Sequence, residues 1–264
     1  MKKYIHIAAI LILFTSCSQY QKALNSTDVA LKMKQGTIKY DEKKYAKAIR
    51  LFEQIAPSYK GKPQAENLFY MFSYSYYNTK QYYLAAYQFE SFASSYPKSE
   101  KREEAAFLSA KCFSLLSPVS SLDQVDTNKA LNKLQEFIDT YPDSKYMQDA
   151  NALVFELKNK LEKKAFDIAK QYNTISDYKA AIASFDNFLS DFPGTPFKEE
   201  ALFYKLDSCY NLAINSVAQK MEERLQNAKG AYTALLKFKA DTKYKEKADQ
   251  MLAKIEKDLQ QYSK

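Results

Sequence analysis

The residues of this chain best suited to covalent chemistry are its three cysteines, Cys17, Cys112 and Cys209. A thiol reacts or ligates a metal as the thiolate, and a neighbouring histidine commonly generates that form. The 264 residues contain one histidine, His6, and it lies in an N-terminal leader. Without a histidine in the rest of the chain, we expect no His-based triad, no common zinc site and no cofactor. The sequence therefore predicts a protein that is not an enzyme.

The two later cysteines and two acidic pairs have structural interpretations. Cys112 and Cys209 each stand in an apolar helical segment, which favours buried and inert thiols. The acidic pairs 103–104 and 199–200 fall in predicted first helical turns, where carboxylates stabilise the helix dipole. An envelope enzyme that uses Cys112 or the carboxylates stays open as an alternative.

The first residues have the organisation of an export signal. Lys2 and Lys3 precede an apolar stretch at 5–14, which is too short to span a bilayer. The stretch ends in Phe14-Thr15-Ser16-Cys17, which resembles a bacterial lipobox. We therefore expect residues 1–16 to be a removed lipoprotein signal peptide and 17–27 to form a tether lipidated at Cys17. A plain signal peptide with a chance cysteine is the alternative.

The chain is basic, with a formal charge of +8, but it contains only three arginines. Arginine is the preferred residue for bidentate phosphate recognition, so we interpret the lysines as a solvated helix surface and expect no nucleic-acid partner. A basic patch for anionic lipid or nucleic acid is the alternative. Residues 18–21 include no acidic side chain, which favours an outer-membrane lipoprotein on the periplasmic face.

One phrase of small and large apolar residues recurs along the chain. It reads Ala85-x3-Phe89-x2-Phe92 and ends at Tyr96-Pro97. Further copies begin at Ala48, Ala130, Ala181 and Ala228. Such residues share one stripe of a helix, and proline ends that helix. A helix that cannot bury its stripe alone must stack on its neighbours. The sequence therefore predicts an all-α, right-handed superhelical solenoid of about five tetratricopeptide-like helix pairs.

The repeat around residue 80 offers a surface for a partner. Small residues at Ser73 and Ala85 mark where its two helices meet. The opposite side of its first helix carries tyrosine and amide side chains: Asn67, Tyr70, Tyr74, Tyr77 and Asn78. Tyrosine gives large contact area and asparagine pairs with peptide groups, so we predict a groove for an extended protein segment. The third repeat adds Phe107 and Lys111 to this groove. Packing of the tyrosines on the neighbouring repeat is the alternative.

Taken together, the lipobox, the five repeats and the aromatic-Pro-x-Ser/Thr steps at 96–99, 141–144 and 192–195 resemble the BamD family of outer-membrane barrel-assembly lipoproteins. The resemblance covers residues 17 to about 260.

The resemblance implies a non-enzymatic scaffold at the periplasmic face of the outer membrane. Repeats 1–3, at 28–142, would receive segments of unfolded outer-membrane proteins, and repeats 4–5, at 143–264, would bind the barrel-forming subunit. In the last repeat that contact would fall to Arg224 or Lys229. A different tetratricopeptide lipoprotein, which scaffolds another envelope or cell-wall complex, is the alternative.

Overall fold

The computed structural model describes residues 19–62 and 65–262, and within these ranges the chain is helical with no strand. A helical stretch at 19–25 comes first, and a short 3-10 turn, Gln260–Tyr262, comes last. Between them lie α1 Val29–Asp41, α2 Tyr45–Tyr59, α3 Ala65–Asn78, α4 Tyr82–Ser95, α5 Arg102–Leu116, α6 Val125–Thr140, α7 Met147–Thr174, α8 Tyr178–Asp191, α9 Lys198–Ile214, α10 Ala218–Phe238 and α11 Lys245–Leu259.

The helices form five successive pairs, from α1 with α2 to α9 with α10. The helix α11 packs on α10 and α9, so it covers the exposed side of the last pair. A closing helix of this kind is expected at the end of a repeat array, where no further repeat buries the apolar face. The predictions of an all-α fold and of five helix pairs are confirmed.

The repeated apolar stripe is buried in every pair. In the second repeat Ala85, Phe89 and Phe92 are all inaccessible to solvent or nearly so. The corresponding buried side chains elsewhere are Ala48, Phe52, Ala130, Leu134, Phe137, Ala181, Phe185, Phe188, Ala228 and Leu235. Each fully buried large side chain of this kind stabilises the fold by about 1.5–3 kcal/mol relative to an exposed one. The stripe is therefore the core of the array.

The close contact predicted within each pair is tightest in the first. A Cβ atom added to Gly36 would lie 2.5 Å from Cε1 of Phe52, and the Phe52 ring is fully buried. In the second pair the same position holds Ser73, which is buried and donates its hydroxyl to the Phe69 carbonyl at 2.7 Å. Only small residues fit where the two helices of a pair meet.

Tight turns join the two helices of the first, second and fourth pairs. Each turn contains one residue in the left-handed region: Lys43, Lys80 and Ser176, with φ of 58°, 61° and 64°. The next N–H then reaches back to the helix, as in the bond from Gln81 N to the Tyr76 carbonyl at 3.0 Å. This arrangement satisfies carbonyls that a helix end leaves free.

The third pair is joined differently. Residues 117–124 contain no helix, as expected from the Ser-Pro-rich insertion at 117–121. The stretch without glycine or proline that follows Ser144 forms α7, a helix of 28 residues. These two features explain why the later repeats are longer than the earlier ones.

The chain divides into two compact units, one of Met1–Pro118 with Asp123–Leu157 and one of Val119–Leu122 with Lys158–Lys264. The described part of the first unit has a continuous core around Phe52, Phe89 and Phe113. In the second unit one cluster surrounds Phe185 and another surrounds Leu206. The division into functional halves at 142 and 143 stays a prediction.

Candidate partner-binding surfaces

A Ser or Thr in the turn after the second helix of a pair links repeats at three places, two of which follow an aromatic-proline step. Its hydroxyl donates to a glutamate near the start of the preceding first helix. These bonds join Ser99 to Glu66 at 2.6 Å, Ser144 to Glu103 at 2.5 Å and Thr242 to Glu199 at 2.6 Å. Glu103 and Glu199, which the sequence places in first helical turns beside the helix dipole, therefore also hold neighbouring repeats together.

Ser99 and Thr195 lie in the turns before helices, two residues ahead of the N-cap positions. The helix α5 begins at Arg102, so its N-cap position is Lys101 rather than Ser99. The Ser99 hydroxyl accepts a hydrogen bond from the N–H of Lys101 itself, at 3.1 Å. Ser99 lies in the turn before the helix, and from there its hydroxyl also donates to Glu66 of the preceding repeat.

A stacking contact recurs four residues after each of these glutamates. Phe107 stacks on Tyr146 with ring centroids 4.7 Å apart, and Phe203 stacks on Tyr244 at 4.0 Å. In each contact the partner stands two residues after the linking Ser or Thr. In the second repeat the equivalent positions are Tyr70 and Lys101. There an ammonium group replaces the second ring, and Lys101 Nζ lies 4.2 Å from the Tyr70 ring centroid.

These recurring contacts explain why two of the predicted groove residues, Tyr70 and Phe107, are buried. Tyr70 is 8 % exposed and Phe107 is 3 % exposed, because both belong to contacts between repeats. Tyr70 also lies against Phe92, with centroids 5.6 Å apart. For Tyr70 this is the alternative given above, packing on the neighbouring repeat. For Phe107 the role was not predicted, although the Ser/Thr-x-aromatic steps at 144–146, 195–197 and 242–244 carried a signal for it.

The other four residues of α3 that were predicted to line the groove form a surface that a partner can reach. We call it the tyrosine face: Asn67, Tyr74, Tyr77 and Asn78. Asn67 and Asn78 are exposed, and the two tyrosines are half-buried. Tyr74 contacts Tyr77 at a centroid separation of 6.1 Å and Tyr40 of α1 at 6.2 Å. The rings support one another, so they hold their orientation without a partner.

The surroundings raise the pKa values of Tyr40, Tyr70 and Tyr74, so their hydroxyls stay protonated at neutral pH. Burial, and then the neighbouring Tyr74 and Tyr45, raise the pKa of Tyr40 to about 12. Burial also raises the pKa of Tyr74 and Tyr70, and the charge of Glu104 adds to the shift at both. A protonated phenol donates a hydrogen bond. Tyr70 is buried and its hydroxyl is bonded to Glu104, so Tyr74 is the side chain that can offer this donor to a carboxylate or a peptide carbonyl.

One cation lies beside the buried end of the groove. Lys111, predicted as a groove residue, is half-buried, and its Nζ lies 5.8 Å from the Phe107 ring centroid. The first unit therefore offers aromatic surface, a phenol donor and the ammonium groups of Lys101 and Lys111, with the carboxylate of Glu104 close to the tyrosines.

The two residues predicted to meet a partner in the last repeat are both engaged within the second unit. Arg224 donates to the Ser216 hydroxyl and lines a cleft of about 560 Å³ between α8, α9 and α10. Lys229 forms an ion pair with Glu256 of α11 at 2.9 Å. Contact of either residue with a partner stays a prediction.

The two cysteines within the described residues are free and buried. Burial raises the pKa of the Cys112 thiol to about 12 and that of Cys209 to about 11. The third cysteine, Cys17, lies outside the described residues. Among the residues described, no group of His, Cys, Asp and Glu is arranged to hold a metal ion. No helix in the described ranges combines the length and apolarity needed to cross a bilayer.

Comparison with known proteins identifies the family. Residues 27–225 match the model of the YfiO family, described as "Outer membrane lipoprotein". The outer membrane protein assembly factor BamD of Caulobacter vibrioides is 24% identical over 222 residues, which cover 82% of this chain and 73% of the relative. Its counterpart from Rickettsia prowazekii is 27% identical over 195 residues, covering 73% of this chain and 76% of the relative.

Among solved structures, a TPR repeats protein from Bacteroides fragilis aligns with 88% of this chain and 99% of its own, at 14% identity and a TM-score of 0.41. The assignment rests on the family match, which extends over most of the sequence from the first helix pair into α10. The chain belongs to the YfiO family of outer membrane lipoproteins.

Proposed function

We propose that the protein is a non-enzymatic scaffold of outer-membrane β-barrel assembly, held at the periplasmic face of the outer membrane by acyl chains on Cys17. Its membership of an outer membrane lipoprotein family is the observation that carries the proposal. Relatives named as outer membrane protein assembly factors match it over most of their own length. The barrel-forming subunit and unfolded outer-membrane proteins are the partners.

The tyrosine face is the proposed site for the C-terminal segment of an unfolded outer-membrane protein. Such a segment ends in an aromatic residue with a free carboxylate. Tyr74 and Tyr77 give it rigid aromatic surface, and a rigid site loses little entropy on binding. Lys111 supplies a positive charge for the carboxylate, and the exposed amide of Asn67 pairs with the extended backbone. Asn78 offers its carboxamide oxygen, because its Nδ2 donates to the Tyr74 carbonyl at 2.8 Å.

The peptide site is tested by the double substitution Tyr74→Ala with Tyr77→Ala. We expect at least tenfold weaker binding of a peptide that carries an aromatic C-terminus, because hot-spot tyrosines commonly contribute about 2 kcal/mol or more. Fluorescence anisotropy of the labelled peptide measures the affinity. The matched control is Tyr83→Ala with Tyr87→Ala on α4, which removes two exposed tyrosines outside the tyrosine face. Equal affinity of both variants would contradict the assignment.

The assembly role is tested by affinity purification of the lipoprotein from detergent-solubilised outer membrane. The barrel-forming subunit should co-purify with it. Recovery of cell-wall enzymes without that subunit would support the alternative, a scaffold of another envelope complex.

The anchor is tested by Cys17→Ala. Loss of the acyl chains should move the protein from the membrane fraction into the soluble periplasmic fraction, since the described helices contain no spanning segment. Cell fractionation with a salt wash measures this. A Cys17→Ala protein that stays in washed membranes would show that Cys17 is not the anchor.

A further inference from the structure

One end of the first unit carries exposed apolar and aromatic side chains. Tyr83 and Tyr87, on the first two turns of α4, are 57 % and 41 % exposed, and Leu84 between them is also exposed. Val125, the first residue of α6, is 69 % exposed. Lys129 completes this set, since its Nζ donates to the Tyr87 hydroxyl at 2.9 Å. We call these five residues the edge patch.

The edge patch lies at the end of the first unit where α2, α4 and α6 all begin. The C-terminal halves of α2 and α4 line one groove of about 1000 Å³, and those of α4 and α6 line another of about 220 Å³. The three helices therefore run in the same direction. Their N-terminal turns lie together at the opposite end of the unit.

The start of the described chain is attached at this same end. Tyr20 belongs to a small buried cluster with Leu51 of α2, and the Nζ of Lys47, in the first turn of α2, lies 5.3 Å from its ring centroid. Cys17 precedes Gln19 by two positions, a separation that an extended chain spans with about 7 Å at most. Because α2 and α4 both pack on α3, their N-terminal ends lie within about 20 Å of one another. Acyl chains on Cys17 would thus leave the protein near the edge patch.

We propose that the edge patch lies in the headgroup region of the membrane that holds the acyl chains, so that the N-terminal turns of α2, α4 and α6 face the phospholipid surface. The proposal rests on the proposed anchor at Cys17. A short tether holds the nearest edge of the protein against the bilayer, and tyrosine is enriched at that depth because its ring is apolar and its hydroxyl polar.

The chemistry of the edge patch suits this depth. The Nζ of Lys129 lies 5.9 Å from the ring centroid of Tyr83 and 5.1 Å from that of Tyr87, at the exposed edge where an ammonium group can meet lipid phosphates. Lys43 and Lys80, in the neighbouring turns, are exposed at the same end. Acidic residues are present there too, including Glu42 and Asp126, so aromatic and apolar contact carries the interaction more than net charge does.

The chain contains no tryptophan, so the fluorescence of a single introduced tryptophan reports on its own site. Tyr83→Trp and Val125→Trp place a single tryptophan in the edge patch. Ser95→Trp, at the other end of α4, is the matched control, because its site is exposed and lies about 18 Å along the same helix. Each variant lipoprotein is purified from membranes and reconstituted into phosphatidylethanolamine–phosphatidylglycerol vesicles with brominated acyl chains. Intact mass determines whether Cys17 carries lipid.

In acylated protein we expect bromine to quench Tyr83→Trp and Val125→Trp and to shift their emission to the blue, while Ser95→Trp emission stays unchanged. Three unquenched probes in an acylated protein would overturn this proposal alone and would make the edge patch a protein contact. Stronger quenching of Ser95→Trp would overturn it by reversing the orientation. Protein without acyl chains would overturn the anchor as well.

Discussion

Single residues decide how closely the helices of a pair approach, and Gly36 is the sharpest example. The space that a side chain would need is already filled by the buried ring of Phe52. Gly230 provides a contrast, because it is also a helix-interior glycine but a Cβ atom there would meet nothing within 4 Å. The two glycines share one backbone conformation and differ only in their surroundings.

Alanine at these two positions should therefore have opposite effects on stability. Gly36→Ala should lower the free energy of unfolding by on the order of 1 kcal/mol, because overpacking costs more than the gain in helix propensity. Gly230→Ala should raise it by about 0.5–1 kcal/mol through propensity alone. Urea denaturation measures both. A stabilised Gly36→Ala protein would mean that the Phe52 ring can move aside.

Single residues also show which buried contacts can be predicted from the sequence and which cannot. The stripe of Ala85, Phe89 and Phe92 is visible as a helical period, and all three are buried as predicted. Tyr70 lies outside this stripe, and part of its burial comes from Lys101, which the turn after the next helix brings over its ring. Helical periodicity reports contacts along one helix, whereas this contact depends on the register between two repeats.

At the scale of whole elements, the bonds between a glutamate and a later hydroxyl fix each first helix to the turn beyond its partner helix. The contact of α9 is the most extensive. Glu199 accepts hydrogen bonds from the Thr242 hydroxyl, the Lys243 N–H and the Lys239 ammonium group. Bonding to Thr242 and to Lys239 lowers the pKa of Glu199 to about 2. The turn that positions α11 is thus held by one carboxylate.

The stabilisation that this contact provides should depend on pH. Since the pKa of Glu199 is lower in the folded state than the usual value of about 4.3, its stabilisation is complete above that value and is lost as the pH falls toward 2. Glu199→Gln should lower the Tm at neutral pH by about 2–4 °C, the scale of one net hydrogen bond in a chain of this size.

The difference in Tm between the two proteins should then shrink toward zero between about pH 4 and pH 2. Thermal unfolding followed by circular dichroism across this range measures it. A difference that stays constant with pH would show that the carboxylate charge is not what stabilises the turn.

At the scale of the whole molecule, stability should be distributed rather than global. Each helix packs mainly on its neighbours in sequence, and the two compact units have separate buried clusters. Arrays of this kind lose structure locally, because each repeat depends on its own packing and on the adjoining repeats. The tyrosine face lies in the first unit and the cleft of Arg224 in the second. Each surface therefore depends on a different buried cluster.

Leu206→Ala should reveal this separation. Removing a fully buried leucine costs about 2–5 kcal/mol, so amide protection should fall in α9 and α10 while α1 to α4 keep theirs. Leu68→Ala, at an equally buried position in the first unit, is the reciprocal control. Hydrogen–deuterium exchange measures both. A uniform loss of protection along the chain would mean that the molecule unfolds as one unit.

The buried thiols have a consequence for how the protein survives unfolding. Cys112 and Cys209 are shielded while their helices are packed, and their raised pKa values keep them protonated. Unfolding in an oxidising compartment would expose both and restore ordinary thiol reactivity. A disulfide formed at that moment would block repacking of the helices, because each sulfur occupies a buried place in its own core. Transient unfolding would then become permanent inactivation, so the lifetime of the protein would depend on how rarely these helices open.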